Sequence, residues 1–206
     1  MIEIKYKSFG ILKTNCYLLS NNYGTLIIDP GHNASEWVID NINRKPVAIL
    51  NTHGHYDHVY SNNTLQNKLN IPLIIHEEDR YLLQNDEFNV GLPKSIPDFT
   101  YEGDKEFCIG DFKFKAIHLP GHSHGTSIYD FGEFILTGDF VMPDTVGRYN
   151  LHTSDKNKKF KSLKKYLDIY QYREDAKDIV IYSGHGDPFT LEESLKTVEK
   201  WLTFFN

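Results

Sequence analysis

The sequence predicts an α/β protein in which one sheet packs on another and helices cover the outside. Two observations carry this. The β-prone runs fall into two groups, one in each half of the chain, and helical patterns lie between or behind the runs of each group. The 206 residues also hold no repeat, low-complexity tract or linker, so a single domain over 1–206 is expected.

The first group opens with apolar stretches at 2–8, 16–20 and 25–29. Asn21-Asn22 and Tyr23-Gly24 are turn signals between the second and third, as in antiparallel pairing, and Asp29-Pro30-Gly31 closes the third. A helix over 34–43 would present Trp37, Val38 and Ile42 on one face. The apolar run 47–50 precedes polar Asn51-Thr52 and reads as a buried strand. A helix over 57–69, a strand at 73–76 and a helix over 77–84 follow. Gly91, Pro93 and Pro97 then mark 85–100 as the longest loop. The second group has strands at 107–109, 113–119, 127–130, 133–137 and 179–182, with helices over 156–170 and 191–204. Thr190 is a candidate N-cap for the last helix, with Glu192 and Glu193 favourable in its first turn.

Composition narrows the functions. Hydrophobic residues at 40% and charged residues at 24% exclude a disordered chain. A net charge of −6 gives no electrostatic footprint for nucleic acid or an anionic membrane, leaving a small molecule as the expected partner. The basic residues of 156–165 are interleaved with Phe160 and Leu163, the pattern of a solvated helix face. Met1-Ile2-Glu3-Ile4 alternates like a strand, unlike a signal peptide, and no run approaches the ~18 apolar residues of a membrane span. Cys16 and Cys108 sit among strand-forming residues and are expected as two buried thiols in a reducing compartment, hence the cytoplasm.

The chemistry is concentrated at strand ends. Thr52-His53-Gly54-His55-Tyr56-Asp57-His58 places three imidazoles and a carboxylate just after a buried strand. Histidine and aspartate suit zinc or another borderline divalent ion. One metal rarely takes all four groups and stays open for chemistry, whereas two metals divide them naturally. Three more strand ends deliver ligand types: Pro120-Gly121-His122, Thr137-Gly138-Asp139 and Ser183-Gly184-His185-Gly186. Each alone reads as an ordinary turn; four in one domain point to a metal centre.

The series His53-x-His55-x-Asp57-His58, His122, Asp139 and His185 resembles the metallo-β-lactamase superfamily. The likeness runs from Asn15-Cys16-Tyr17-Leu18 and Ile28-Asp29-Pro30-Gly31 to Gly184-His185-Gly186. It implies a four-layer αββα sandwich with metals at one edge between the sheets. It also implies that His53, His55 and His122 hold one divalent ion, that Asp57, His58 and His185 hold the other, and that Asp139 bridges them. Zinc is the expected metal, with iron or manganese as alternatives.

Within the superfamily, Leu119-Pro120-Gly121-His122-Ser123 and Gly138-Asp139-Phe140 followed by Val146-Gly147-Arg148 are similar to the hydroxyacylglutathione hydrolase (glyoxalase II-like) branch. Arg148 falls where that branch carries a basic residue that grips the carboxylate of the thiol carrier. Asp187 stands where the glutathione enzymes carry an aromatic residue, and their further helical domain is not expected here. The resemblance thus implies thioester hydrolysis by a metal-bridging hydroxide, with Asp57 orienting the nucleophile or accepting its proton. Competing readings on the same framework are a mononuclear-iron persulfide dioxygenase, a lactonase or phosphodiesterase, and a metal-binding module without catalysis. His76 and His118 read as structural, His124 as a candidate pocket residue, and Tyr6 and Tyr17 as core.

Overall fold

Alternation in the first residues, ended by a tight turn at Gly10, folds the amino terminus into a hairpin. In the computed structural model, which describes residues 1–205, β1 (Glu3–Phe9) pairs antiparallel with β2 (Thr14–Ser20) across a turn in which Gly10 and Lys13 take positive φ. β3 (Thr25–Ile28) adds antiparallel to β2. From there every return is a parallel crossover: β4 (Pro46–Leu50), β5 (Leu73–His76) and β6 (Phe99–Tyr101) complete a six-stranded sheet in sequence order. Parallel neighbours require covering elements. These are α1 (Ala34–Asn41), α2 (Tyr56–Val59), α3 (Asn62–Leu69) and a 3-10 helix over Glu77–Leu83.

The second sheet comprises β7 (Lys105–Ile109), β8 (Phe112–His118), β9 (Ser127–Asp130), β10 (Phe134–Gly138), β13 (Val180–Ser183) and β14 (Phe189–Thr190), in the order β14-β13-β10-β9-β8-β7. Only β10 and β13 pair in parallel. Between them lie a ribbon of β11 (Val141–Met142) and β12 (Thr145–Val146) and the helix α4 (Lys156–Tyr170); α5 (Leu191–Leu202) follows β14. Thr190 caps α5 in a full capping box with Glu193.

Three cores separate four layers. Tyr17, Leu19 and Leu50 meet Phe112, Tyr129 and Leu136 between the sheets. Leu18, Ile27 and Ile49 point the other way, onto Val38 and Leu65 of the first helix layer. Ile128, Ile135 and Ile181 pack on Leu163, Tyr166 and Val198 of the second. β2 and β3 are buried on both faces, which explains their unbroken apolar runs. At one edge the sheets are joined directly. Asn15 N donates to Gly184 O (2.7 Å), and Asn15 Nδ2 donates to Ser183 O (3.1 Å) and Gly186 O (2.8 Å).

Several expectations are corrected. The helix over 57–69 is two helices, because Ser61 is pinned across the sheet edge: its N–H donates to Pro30 O (2.9 Å) and its Oγ to Gly31 O (2.6 Å). Residues 77–83 form a 3-10 turn rather than an α-helix; the buried Asp79 carboxylate is clamped by three donors. Cys108 is exposed on the outer strand β7, so only Cys16 is a buried thiol. Tyr17 is core, but Tyr6 is 36% exposed and stacks on Tyr17 from outside. The basic run of α4 is not wholly solvated, because Lys159 is completely buried. No helix among the described residues is long and apolar enough to cross a membrane.

Candidate metal centre

The strands β4, β8, β10 and β13 end at the same edge, and the segments leaving them carry all seven predicted ligands. The fold brings them into one cluster. Ligand atoms of His53, His55 and His122 lie within 4.8 Å of one another, as do those of Asp57, His58 and His185. Asp139 lies between the two groups: its Oδ2 is 3.4 Å from His122 Nε2 and 3.3 Å from His185 Nε2, and its Oδ1 is 3.3 Å from His58 Nε2. His58 Nε2 and His185 Nε2 also face Asp57 Oδ2, at 3.4 and 3.5 Å.

Each imidazole is aimed by a bond from its other nitrogen. His122 Nδ1 donates to Arg148 O (2.8 Å), His185 Nδ1 to Leu12 O (2.9 Å) and His58 Nδ1 to Asp29 Oδ2 (3.0 Å). Thr52 Oγ1 donates to the same Asp29 oxygen (2.6 Å) and therefore accepts from His53 Nδ1 (3.2 Å). With those bonds turned outward, Nε2 of all four rings faces the cluster. His55 is the exception in orientation: its Nδ1 faces His122 Nε2 (2.9 Å) and its Nε2 bonds Thr153 Oγ1 (2.8 Å). Asp57 Oδ2 accepts from Thr14 Oγ1 (2.6 Å).

The donor set fits divalent metal. His53 Nε2, His58 Nε2 and Asp139 Oδ1 are buried with no hydrogen-bond partner, although buried polar atoms are almost always satisfied. One orphan belongs to each group of three and one to the residue between them. Burial, reinforced by the neighbouring imidazoles, holds His53 and His122 well below the ordinary histidine value; burial likewise lowers His55. Neutral imidazole is the form that binds metal. Burial opposes the charging of His58 and His185, but the carboxylates outweigh it: Asp57 and Asp139 raise His58 well above its ordinary value, and Asp139 raises His185. Burial likewise works against ionised Asp139, and His58 and His185 overcome it to hold the carboxyl well below the usual range.

Close backbone approach is required at Gly184. A Cβ there would overlap Asp139 Oδ1 and stand 2.6 Å from His58 Cε1. A cavity of about 550 Å3 opens over the cluster, lined on its apolar side by Leu12, Phe88, Met142, Val146 and Leu151. Arg148 lines it too, with its guanidinium exposed and Nε donating to Asn150 Oδ1 (3.3 Å). His124 does not line it and instead accepts, through its carbonyl, from His118 Nε2 (2.8 Å). His118 stacks on His76, and both are satisfied structural residues.

Sequence reasoning passed over four contributors. Asp79 accepts from Gly54 N (2.8 Å), Gly125 N (2.6 Å) and Ser123 Oγ (2.6 Å), tying the segment after β4 to the one after β8. Asp29, at a strained φ of +48°, holds Thr52 and His58. Thr153 fixes His55. Lys159 donates to Phe140 O (2.7 Å) directly behind Asp139, and burial pushes its pKa down to about 7 against the pull of that carboxylate.

The family model for the metallo-β-lactamase superfamily matches residues 10–171 of this chain. The chain belongs to that superfamily. An uncharacterised protein of Mycobacterium leprae is 30% identical, over 88% of this chain and 90% of its own. A probable metallo-hydrolase of Bacillus subtilis is 28% identical, over 86% and 87%. Among solved members of the superfamily fold, a B3 metallo-β-lactamase, BLEG-1, superposes with a TM-score of 0.83 at 25% identity over 98% of this chain and 100% of that one. TTHA1623, solved in a di-iron-bound form, superposes with a TM-score of 0.80 at 29% identity, over 94% and 98%. As a metallo-β-lactamase-superfamily chain, this is a probable metallo-hydrolase whose His/Asp cluster is built for divalent metal.

Proposed function

We propose that the chain is a binuclear hydrolase of the glyoxalase II-like type that cleaves a thioester. In this proposal His53, His55 and His122 hold one ion, Asp57, His58 and His185 the other, and Asp139 spans both. The supporting observation is Asp139 itself: its two oxygens face nitrogens of both groups, and three ligand atoms across the cluster lack any other partner. Zinc suits this nitrogen-rich set, and the di-iron form of TTHA1623 supports iron as the alternative. Two bound cations supply Lewis acidity and a water of lowered pKa.

The remaining steps belong to the protein. Thr14 Oγ1 holds the Asp57 carboxylate at the cavity wall, where it orients the attacking water and takes its proton. Leu12, Phe88, Met142 and Leu151 exclude bulk water from the reacting carbonyl. Arg148 offers a planar, permanently charged fork to a carboxylate on the thiol carrier. The departing thiolate needs little protonation, so the cavity requires no dedicated acid.

Metal analysis of purified protein, paired with a screen of thioesters, lactones, phosphodiesters and β-lactams, tests this. Close to two divalent ions per chain and thioester turnover are the expected results. A single occupied position, or turnover confined to another ester class, would overturn it.

A further inference from the structure

A second cavity of about 440 Å3 adjoins the first, lined by the tip of the β1–β2 hairpin, by α2 and by the segment after β3. Its walls are apolar: Phe9, Ile11, Leu12, Tyr56, Tyr60 and Val90. The two cavities meet at Leu12, Tyr56 and Asp57, which line both. Asp57 is the only acidic residue of the second cavity, and no lysine or arginine lines it. Of the other polar residues, Thr14 Oγ1 donates to Asp57, His32 packs edge-on against Tyr60 at 4.4 Å between centroids, and Asn33 completes the lining.

Exposure at its rim is unusual in kind. Ile11 is fully exposed, Leu12 is 50% and Val90 38% exposed. Single exposed aliphatics are ordinary on any surface. Three around one recess, with a reactive carboxylate at its inner end, form a surface that gains by being covered with something apolar. The volume lies in the range of small-molecule sites, and the cationic side chain, Arg148, is in the other cavity.

We propose that this second cavity is the acyl subsite, and that the substrate is a thioester of a straight aliphatic acid of medium length on a small anionic thiol. This rests on the thioester reading above and names its substrate class. The anionic thiol lies toward Arg148, the acyl chain runs past Asp57 under Ile11 and Leu12, and the scissile carbonyl sits between. Water adds its oxygen to the carbonyl carbon, the C–S bond breaks, and the electron pair leaves on sulfur. One proton of the water ends on the thiol or in solvent, and the acid is released.

The test uses metal-replete full-length protein and acyl thioesters of 3-mercaptopropionate from acetyl to octanoyl. The expected kcat/KM rises about fourfold per methylene until the cavity is filled. Val90→Trp, which narrows the mouth, lowers the octanoyl-to-acetyl ratio at least tenfold, and Tyr60→Ala moves the optimum to longer chains. Turnover with no dependence on chain length overturns the subsite while leaving the hydrolase intact. If no thioester is cleaved, the hydrolytic reading fails, and calorimetry with the matching uncleavable alkyl thioethers still decides the subsite. Affinity that rises with alkyl length in the wild type but not in Val90→Trp supports it, and affinity independent of length overturns it.

Discussion

His122 Nδ1 donates to the backbone carbonyl of Arg148 at 2.8 Å, so Arg148 orients the His122 ring with its main chain while its side chain faces the cavity. The two tasks are separable by mutation. Arg148→Ala keeps the carbonyl and removes the guanidinium. Metal content is expected to stay at the wild-type level while KM for anionic substrates rises roughly 10- to 100-fold, the loss of one charge-assisted contact. Steady-state kinetics with metal analysis of the same preparation checks this, and a loss of metal would show that the side chain supports the cluster.

Asp57 belongs to only one group of three. Asp57→Ala should abolish turnover and deplete mainly the ion held with His58 and His185, since His53, His55 and His122 are untouched. Near-normal turnover with one ion per chain would rule out a binuclear mechanism.

Asp79 makes no contact with the cavity, yet its carboxylate accepts three bonds from the segments that carry His53, His55 and His122. Asp79→Ala leaves the buried N–H groups of Gly54 and Gly125 unpaired, at about 1–3 kcal/mol each, and leaves Ser123 Oγ with Thr126 Oγ1 alone. The expected result is a loss of several kcal/mol in urea unfolding, together with weakened metal binding. Asp79→Asn, which retains one acceptor oxygen, should recover part of both. A variant as stable as the wild type would remove Asp79 from the account.

Lys159 predicts a pH dependence. Its pKa is about 7 in the fold against an ordinary 10.5. Below pH 7 the folded and unfolded chains are both protonated there, and the cost of burying an ammonium is fully present. Between about 7 and 10.5 only the unfolded chain holds the proton, so this group makes stability rise with pH by about 1.4 kcal/mol per unit. Lys159→Met lacks the effect. The stability difference, wild type minus Lys159→Met, should therefore be flat below pH 7 and grow steadily up to pH 10. A difference independent of pH from 6 to 10 would mean that the ammonium is not desolvated.

What the sequence disclosed follows from locality. Side chains that project from strand ends into the cluster must follow an apolar run and a turn, so His53, His122, Asp139 and His185 announce themselves within a few residues. Most strands and both long helices are legible for the same reason, whereas β6, of three residues, begins where the sequence predicts a loop. Asp79 and Thr153 are not, because their partners lie 25 to 98 residues away and nothing in the neighbouring sequence records the meeting. β11, β12 and β14 span two residues each, too few to show a period. Lys159 falls on a helix whose other lysines face solvent, and only the approach of Phe140 distinguishes it.

The joint between Asn15 and Gly184 also sets an order of events during synthesis. The first sheet uses residues up to Tyr101 and can close while the chain is still on the ribosome, carrying His53, His55, Asp57 and His58 with it. His122 and Asp139 arrive with the middle of the second sheet. His185 cannot take its place until β13 has been made and laid beside β10, the step that also brings Gly184 to Asn15. In the proposed two-ion site the group of Asp57, His58 and His185 is therefore completed last, and firm retention of an ion there would mark a molecule whose two halves have already joined.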